Sequence, residues 1–107
     1  MIVAFSISPT AADESGSVAE SVAAAVQVVR DSGLPYELNS MFTNLEGEWD
    51  EVMGVVKAAV EAVAATSPRV GLVLKADIRP GYEGQLQAKV ERVEQALAAR
   101  DDSSTGR

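Results

Sequence analysis

The order of strand-like and helix-like patterns constrains the fold of this chain most strongly. The clearest strand pattern covers residues 69–78, where one face carries the apolar side chains Val70, Leu72, Leu74, Ala76 and Ile78. Because successive side chains of a strand point to opposite faces, this alternation predicts a strand with one buried face. Weaker alternation predicts three further strands, over residues 2–8, 35–41 and 43–47.

Three other segments carry apolar residues at helical spacing. The first covers residues 18–31 and ends at Gly33, which suits a left-handed helix stop, and its predicted buried stripe is Val18, Val22, Val26 and Val29. The second follows a run of acidic residues and ends near Ala65, with the stripe Val52, Val56, Ala59 and Val63. The third carries the stripe Leu86, Val90, Val93 and Leu97.

The resulting order, β-α-β-β-α-β followed by a helix, is the split βαβ signature. We therefore expect an α+β, ferredoxin-like βαββαβ sandwich with an extra C-terminal helix. Residues 1–100 should form one domain, and the polar tail 101–107 should be disordered. The third helix should cover a sheet edge or dock on a partner. The sheet face left open by the first two helices should be partly buried by another subunit and carries Ala4, Ser6, Ser8, Val73, Lys75 and Asp77.

Charge and composition exclude several classes of function. A net charge of −7 argues against nucleic acid and anionic membranes as main partners. The absence of cysteine and histidine removes disulfides, thiolate nucleophiles, the usual zinc sites and histidine-based catalysis. No signal peptide and no apolar run of about 18 residues is visible, so we expect a cytoplasmic protein without metal or cofactor.

The hairpin between residues 33 and 49 concentrates polar and aromatic side chains on paired strands. Such polar groups must be exposed, hydrogen-bonded or functional. Glu46 is open to two readings, as a cap of the second helix or as a partner for a ligand amine. Lys75 and Asp77 share a strand face and could form an ion pair with each other or with Arg79. Trp49 is expected to be a packing residue.

The same hairpin carries a resemblance to a known family. Residues 32–39, the pattern Met41-x-Thr43 and residues 46–52 resemble the thiamine-binding, YkoF-like family, as does the segment 75–79. The similarity extends from Met1 to about Leu97. It implies a ferredoxin-like fold, assembly into dimers or tetramers, no enzymatic activity, and binding of thiamine or its hydroxymethylpyrimidine moiety.

Carried onto this chain, the resemblance implies that the ligand-binding positions are Ser6, Asn39, Met41, Thr43, Glu46, Lys75 and Asp77. Glu46 would pair with an aminopyrimidine, Asn39 and Thr43 would bond its ring nitrogens, and Met41, Phe42 or Trp49 would contact the ring face. Two departures affect the expected pocket shape. Pro9-Thr10-Ala11 stands where the family usually has Pro-Leu-Gly, and Phe42 stands where a small residue is common.

Three hypotheses remain open from the sequence. The first is a non-enzymatic binder of thiamine or of a pyrimidine, which predicts a pocket near the hairpin and the first strand with a carboxylate inside it. The second is a structural or regulatory oligomeric module with no small ligand. The third is an acylphosphatase-type enzyme, which is disfavoured because that chemistry needs an arginine in the loop after the first strand, and residues 8–17 contain no arginine or lysine.

Overall fold

The computed structural model describes residues 1–9 and 18–105, and the predicted helix-start residues Ser15 and Ser17 lie outside these ranges. Seven elements follow one another along the chain: β1 (Ile2–Pro9), α1 (Val18–Asp31), β2 (Tyr36–Leu38), β3 (Thr43–Glu46), α2 (Trp49–Ala64), β4 (Val70–Asp77) and α3 (Gln85–Thr105). The predicted order of strands and helices is confirmed.

The four strands form one antiparallel sheet in the order β2-β3-β1-β4. This is the strand order of a ferredoxin-like fold. The two strands of the unit β1-α1-β2 are separated by β3, and the two strands of the unit β3-α2-β4 are separated by β1. Val3 pairs with Leu45 and with Ala76. Val3 and Leu45 are buried in the core with residues of α1 and α2, whereas Ala76 is exposed on the edge strand. The opposite face carries the residues paired with Ala4, namely Asn44 and Lys75. The predicted strand parity is therefore confirmed.

The core lies between the sheet and the two helices α1 and α2. All four residues of the stripe predicted for α2 are buried: Val52, Val56, Ala59 and Val63. They pack with Val3, Phe5 and Leu45 from the sheet. The N-terminus of α2 is closed by a capping box between Glu48 and Glu51, which satisfies backbone N–H groups that the helix cannot pair internally.

The stripe predicted for α1 is wrong in part. Its buried residues are Ser21, Ala25 and Val29, whereas Val22 is 38% exposed and Val26 is only half-buried. A shift of one position turns a helix by roughly 100°. The small side chains of Ser21 and Ala25 let α1 approach the core closely. Val22 and Val26 are therefore turned towards the side of the sheet that carries the β2–β3 turn, and the side chain of Val18 lies outside the described part of the structure.

Two glycines suit the geometry of the connections. Gly33 follows α1 with a φ of 76°, a left-handed conformation that glycine adopts without strain, and the predicted helix stop is confirmed. Gly47 follows β3, and a Cβ atom there would lie 3.1 Å from Val52 Cγ2 and 3.3 Å from Leu34 Cδ1. A side chain at position 47 would therefore crowd the contact between α2 and the chain that enters β2.

Only the beginning of α3 packs on the domain. Leu86 is buried, but Val90, Val93 and Leu97 are 53%, 59% and 49% exposed. The helix runs to Thr105, beyond the boundary at residue 100 that the polar tail predicted. The radius of gyration is 17.3 Å, whereas a compact domain of this length has a radius of about 13 Å. The distal part of α3 therefore projects away from the sheet.

Candidate functional site

A cavity of about 210 Å³ opens beside the β2–β3 turn, at one end of the sheet. Its walls combine apolar side chains of β1 and α1 with polar residues of the turn: Phe5, Ser6, Ile7, Val22, Ala25, Val26, Leu38, Asn39, Ser40, Met41, Phe42 and Thr43. We call this the turn pocket. Four of the seven predicted ligand-binding residues line it, namely Ser6, Asn39, Met41 and Thr43.

Asn39 shapes the turn that forms one wall of this pocket. Its Oδ1 accepts hydrogen bonds from the backbone N–H groups of Met41 at 2.9 Å and Phe42 at 2.8 Å. The backbone N–H of Asn39 also donates to the Phe42 carbonyl at 3.0 Å. Asparagine favours such turns because its side chain can replace a backbone acceptor. The side-chain NH₂ group remains as a donor for another partner.

Thr43 supplies a hydroxyl group to the floor of the turn pocket. The residue is 7% exposed, and its hydroxyl has no hydrogen-bond partner in the part of the chain that the structure describes. In that same part, no side-chain oxygen or nitrogen is sealed from solvent without a partner. The Thr43 hydroxyl therefore opens into the cavity, where it can both donate and accept.

Ser6 and Met41 complete the polar and apolar edges of the turn pocket. The pairing of β1 with β3 ends at Phe5 and Thr43, so β1 continues past β3 and the strand edge at Ser6 lies beside the cavity. Met41 is 72% exposed at the rim. A flexible thioether in this position can close over a flat ring.

Glu46 does not belong to the turn pocket. It lies three residues along β3 from Thr43, a separation of about 10 Å, and on the opposite face of the sheet. Its carboxylate is buried and accepts the backbone N–H groups of Gln85 at 2.9 Å and Leu86 at 3.3 Å. Glu46 therefore caps α3, which neither of the two sequence-based readings anticipated. No charged side chain lines the turn pocket within the described residues.

Asp77 and Lys75 also lie away from the turn pocket, on β4. Asp77 forms its ion pair with Lys89 of α3, not with Lys75 or Arg79 as the sequence suggested. The hydrogen bond and the positive charge of Lys89 hold the pKa of Asp77 below its usual value, with smaller contributions from Arg79 and Lys75. Lys75 is exposed on the same face. The seven predicted residues are thus divided between two ends of the sheet.

The sequence did not identify the apolar walls of the turn pocket. The helical spacing predicts core positions for Val22 and Val26, but both line the cavity. The available signal was the set of small residues Ser21 and Ala25, whose stripe fits close helix packing better than the valines do. Trp49 is also not a core packing residue, since it is 55% exposed.

A family model described as thiamine-binding protein matches residues 3–94 of the chain. The chain belongs to the thiamine-binding protein family. A UPF0045 protein of Mycobacterium bovis is 51% identical over 98 residues, covering 91% of this chain and 94% of that relative. The resemblance found in the hairpin is thereby confirmed.

Two solved structures agree with the fold. A hypothetical protein from Methanocaldococcus jannaschii superposes with a TM-score of 0.77 at 31% identity, covering 87% of this chain and 94% of the other. A Thermotoga maritima protein provisionally assigned to thiamine biosynthesis or salvage superposes with a TM-score of 0.74 at 26% identity, covering 86% and 96%. The family and these structures support a small-molecule-binding role.

Two features are absent from the described residues. No helix in residues 1–9 and 18–105 is long and apolar enough to cross a membrane. The same residues contain no group of three or more histidine, cysteine, aspartate or glutamate side chains arranged to hold a metal ion.

Proposed function

We propose that the protein is a non-enzymatic, cytoplasmic binder of thiamine or of its hydroxymethylpyrimidine moiety, and that it acts as a homo-oligomer. The main support for a small-molecule ligand is the turn pocket, which places hydroxyl and amide groups at the edge of an apolar cavity. Small-molecule sites have this composition, with mostly apolar walls and a few polar groups that fix orientation. Membership of the thiamine-binding protein family supports the choice of ligand.

The size of the turn pocket favours the pyrimidine moiety as the part that enters. Its volume is about 210 Å³, below the range of about 300–1,000 Å³ for pockets that enclose a drug-sized ligand. One flat ring would lie between the side chains of Phe5, Phe42 and Met41. The Thr43 hydroxyl and the Asn39 amide would meet its nitrogens and its amino group.

The absence of charge in the described lining of the turn pocket also favours the pyrimidine as the part that enters. This lining is neutral, and a hydroxymethylpyrimidine is neutral at pH 7, whereas the thiazolium ring of thiamine carries a positive charge. A cation gains nothing from leaving water for a neutral cavity. In this proposal the pyrimidine of thiamine binds inside, and its thiazolium ring stays at the rim in contact with solvent.

Isothermal titration calorimetry with thiamine and with hydroxymethylpyrimidine tests the ligand. Both should release heat, and Thr43→Val should weaken binding by up to roughly 10-fold, as expected for one neutral hydrogen bond. Thr43→Ser is the matched control, because it keeps the hydroxyl and should retain the affinity. Absence of heat with either compound up to millimolar concentration would refute the proposed ligand.

The homo-oligomer rests on the uncovered surface of α3 and β4. The stripe Val90, Val93 and Leu97 has no cover in the described part of the chain, and β4 is an eight-residue strand at the sheet edge. A second copy can cover an apolar helix stripe and an open edge at once. This observation also favours the second hypothesis, an oligomeric module without a ligand.

Native mass spectrometry separates these readings. The wild type should appear as a dimer or tetramer, and Val93→Glu should shift it to the monomer. Gln95→Glu places the same charge on the same helix outside the stripe and should leave the mass unchanged. A monomeric wild type would refute the oligomer, and an oligomer that gives no calorimetric heat would favour the module without a ligand.

A further inference from the structure

A second cavity, of about 150 Å³, lies between the open face of the sheet and the beginning of α3. We call it the α3 cavity. Three parts of the fold line it: the sheet, the loop after β4, and one face of α3. The lining residues are Met1, Ile2, Glu46, Asp77, Arg79, Tyr82, Gln85, Lys89 and Arg92.

The face that α3 turns towards this cavity is polar and cationic. Gln85, Lys89 and Arg92 follow one another at i, i+4 and i+7, which places them on one side of the helix. The apolar stripe that begins at Leu86 is one position further on and points about 100° away. The helix therefore presents its positive charges to the cavity, while Leu86, one position further on, is buried against the domain.

The two carboxylates of the α3 cavity already have partners. Glu46 accepts two backbone N–H groups at the start of α3, and Asp77 is paired with Lys89. Arg79 and Arg92 have no carboxylate partner within residues 1–9 and 18–105. Both arginines are exposed to solvent, and their guanidinium groups offer the planar, forked donors that bind oxyanions in pairs of hydrogen bonds.

Both guanidinium groups are held in place by neighbouring side chains. The Arg79 guanidinium carbon lies 3.5 Å from the centre of the Tyr82 ring, a cation–π contact. Arg92 Nη2 donates a hydrogen bond to Gln85 Oε1 at 3.1 Å. Neither contact neutralises the positive charge. Holding the side chains in place lowers the entropy lost when an anion binds.

Positively charged side chains also surround Asp77 at the edge of the α3 cavity. Lys89, Arg79 and Lys75 all lower the pKa of this carboxyl group, with Lys89 the largest cause. The net charge of −7 is spread over the whole chain. Charges more than about 8 Å apart in water are screened at physiological salt, so the nearby cations dominate in the cavity.

We propose that the α3 cavity binds a phosphoryl group between the guanidinium groups of Arg79 and Arg92. A tetrahedral oxyanion offers the acceptors that arginine recognises through paired N–H donors, and a carboxylate offers fewer. The source is either free phosphate or a phosphate monoester. The site lies at the opposite end of β1 from the turn pocket and is independent of the ligand proposed there.

The test is ³¹P NMR titration of the full chain with inorganic phosphate and, separately, with phenyl phosphate. Both probes should show saturable shifts that weaken as salt is added. Arg79→Gln and Arg92→Gln should each weaken binding by roughly 10- to 100-fold, the loss expected for hydrogen bonds to a charged group. Arg100→Gln is the matched control, because it removes the same charge from an exposed position further along α3.

Tighter binding of phenyl phosphate would identify the site as one for a phosphate monoester, and equal binding would identify free phosphate, both in support of the proposal. Equal losses in Arg100→Gln would show a non-specific effect of charge and would overturn it. A lack of response to both probes would also overturn the proposal. If the Arg79 and Arg92 variants then showed a lower oligomeric mass, these arginines would instead form ion pairs with carboxylates of a second copy of the chain. Thr43→Val should leave phosphate binding unchanged, which separates this site from the turn pocket.

Discussion

Replacing Glu46 by glutamine tests whether this residue holds α3 on the sheet. The carboxylate is 6% exposed and accepts N–H groups at 2.9 and 3.3 Å from the first two residues of the helix. Glutamine keeps the volume and one acceptor oxygen, but it loses the charge that favours a helix N-terminus and turns an NH₂ group towards one donor. Because removal of a helix cap costs about 0.5–2 kcal/mol, we expect a loss of roughly 1–2 kcal/mol.

Urea unfolding and amide hydrogen exchange measure this change together. The free energy of unfolding should fall, and the amides of Gln85 and Leu86 should exchange roughly 5- to 30-fold faster, the factor that corresponds to 1–2 kcal/mol. Glu37→Gln is the matched control, since Glu37 is exposed on the same face of the sheet and should change stability by less than about 0.5 kcal/mol. Unchanged exchange at Gln85 and Leu86 in Glu46→Gln would refute the capping role.

Two further predictions concern the ion pair and the core. The pKa of Asp77 measured by NMR should lie below the usual 3.8 and should rise towards that value in Lys89→Gln. Because the folded-state pKa is lowered, the stability from this pair is present above the usual pKa and is lost as pH falls through the lowered value; an unshifted wild-type pKa would contradict the pairing. Leu45→Ala should lower the free energy of unfolding by about 2–5 kcal/mol in urea titration, because Leu45 is fully buried. A loss below about 1 kcal/mol would contradict its place at the centre of the core.

Local patterns predicted the fold because they act within single elements. The stripe of α2 depends on the burial of one face and is confirmed. The alternation in β4 correctly predicted a strand. Its predicted buried face is wrong in part, because Val70 and Leu74 are only half-buried and Leu72 and Ile78 are 44% and 58% exposed at the edge of the sheet. The stripe of α1 was less predictable, since two neighbouring faces of that helix are apolar or small. Close packing selected Ser21 and Ala25, and it left Val22 for the turn pocket.

The partners of the charged residues could not be predicted from local patterns. Glu46 meets N–H groups 39 and 40 residues further along the chain, and Asp77 meets Lys89 in the helix that follows. Both contacts depend on where α3 lies, and the sequence left that position open. The residues of the β2–β3 turn, in contrast, are neighbours in sequence, so Asn39, Met41 and Thr43 could be grouped in advance.

The measurement that tests the central claim most directly is NMR mapping of hydroxymethylpyrimidine on the full-length protein. The account predicts that saturable shift changes are largest at Ser6, Asn39, Met41 and Thr43, around the turn pocket. The largest changes at Glu46 and Gln85, or the absence of saturable changes at any residue, would contradict it.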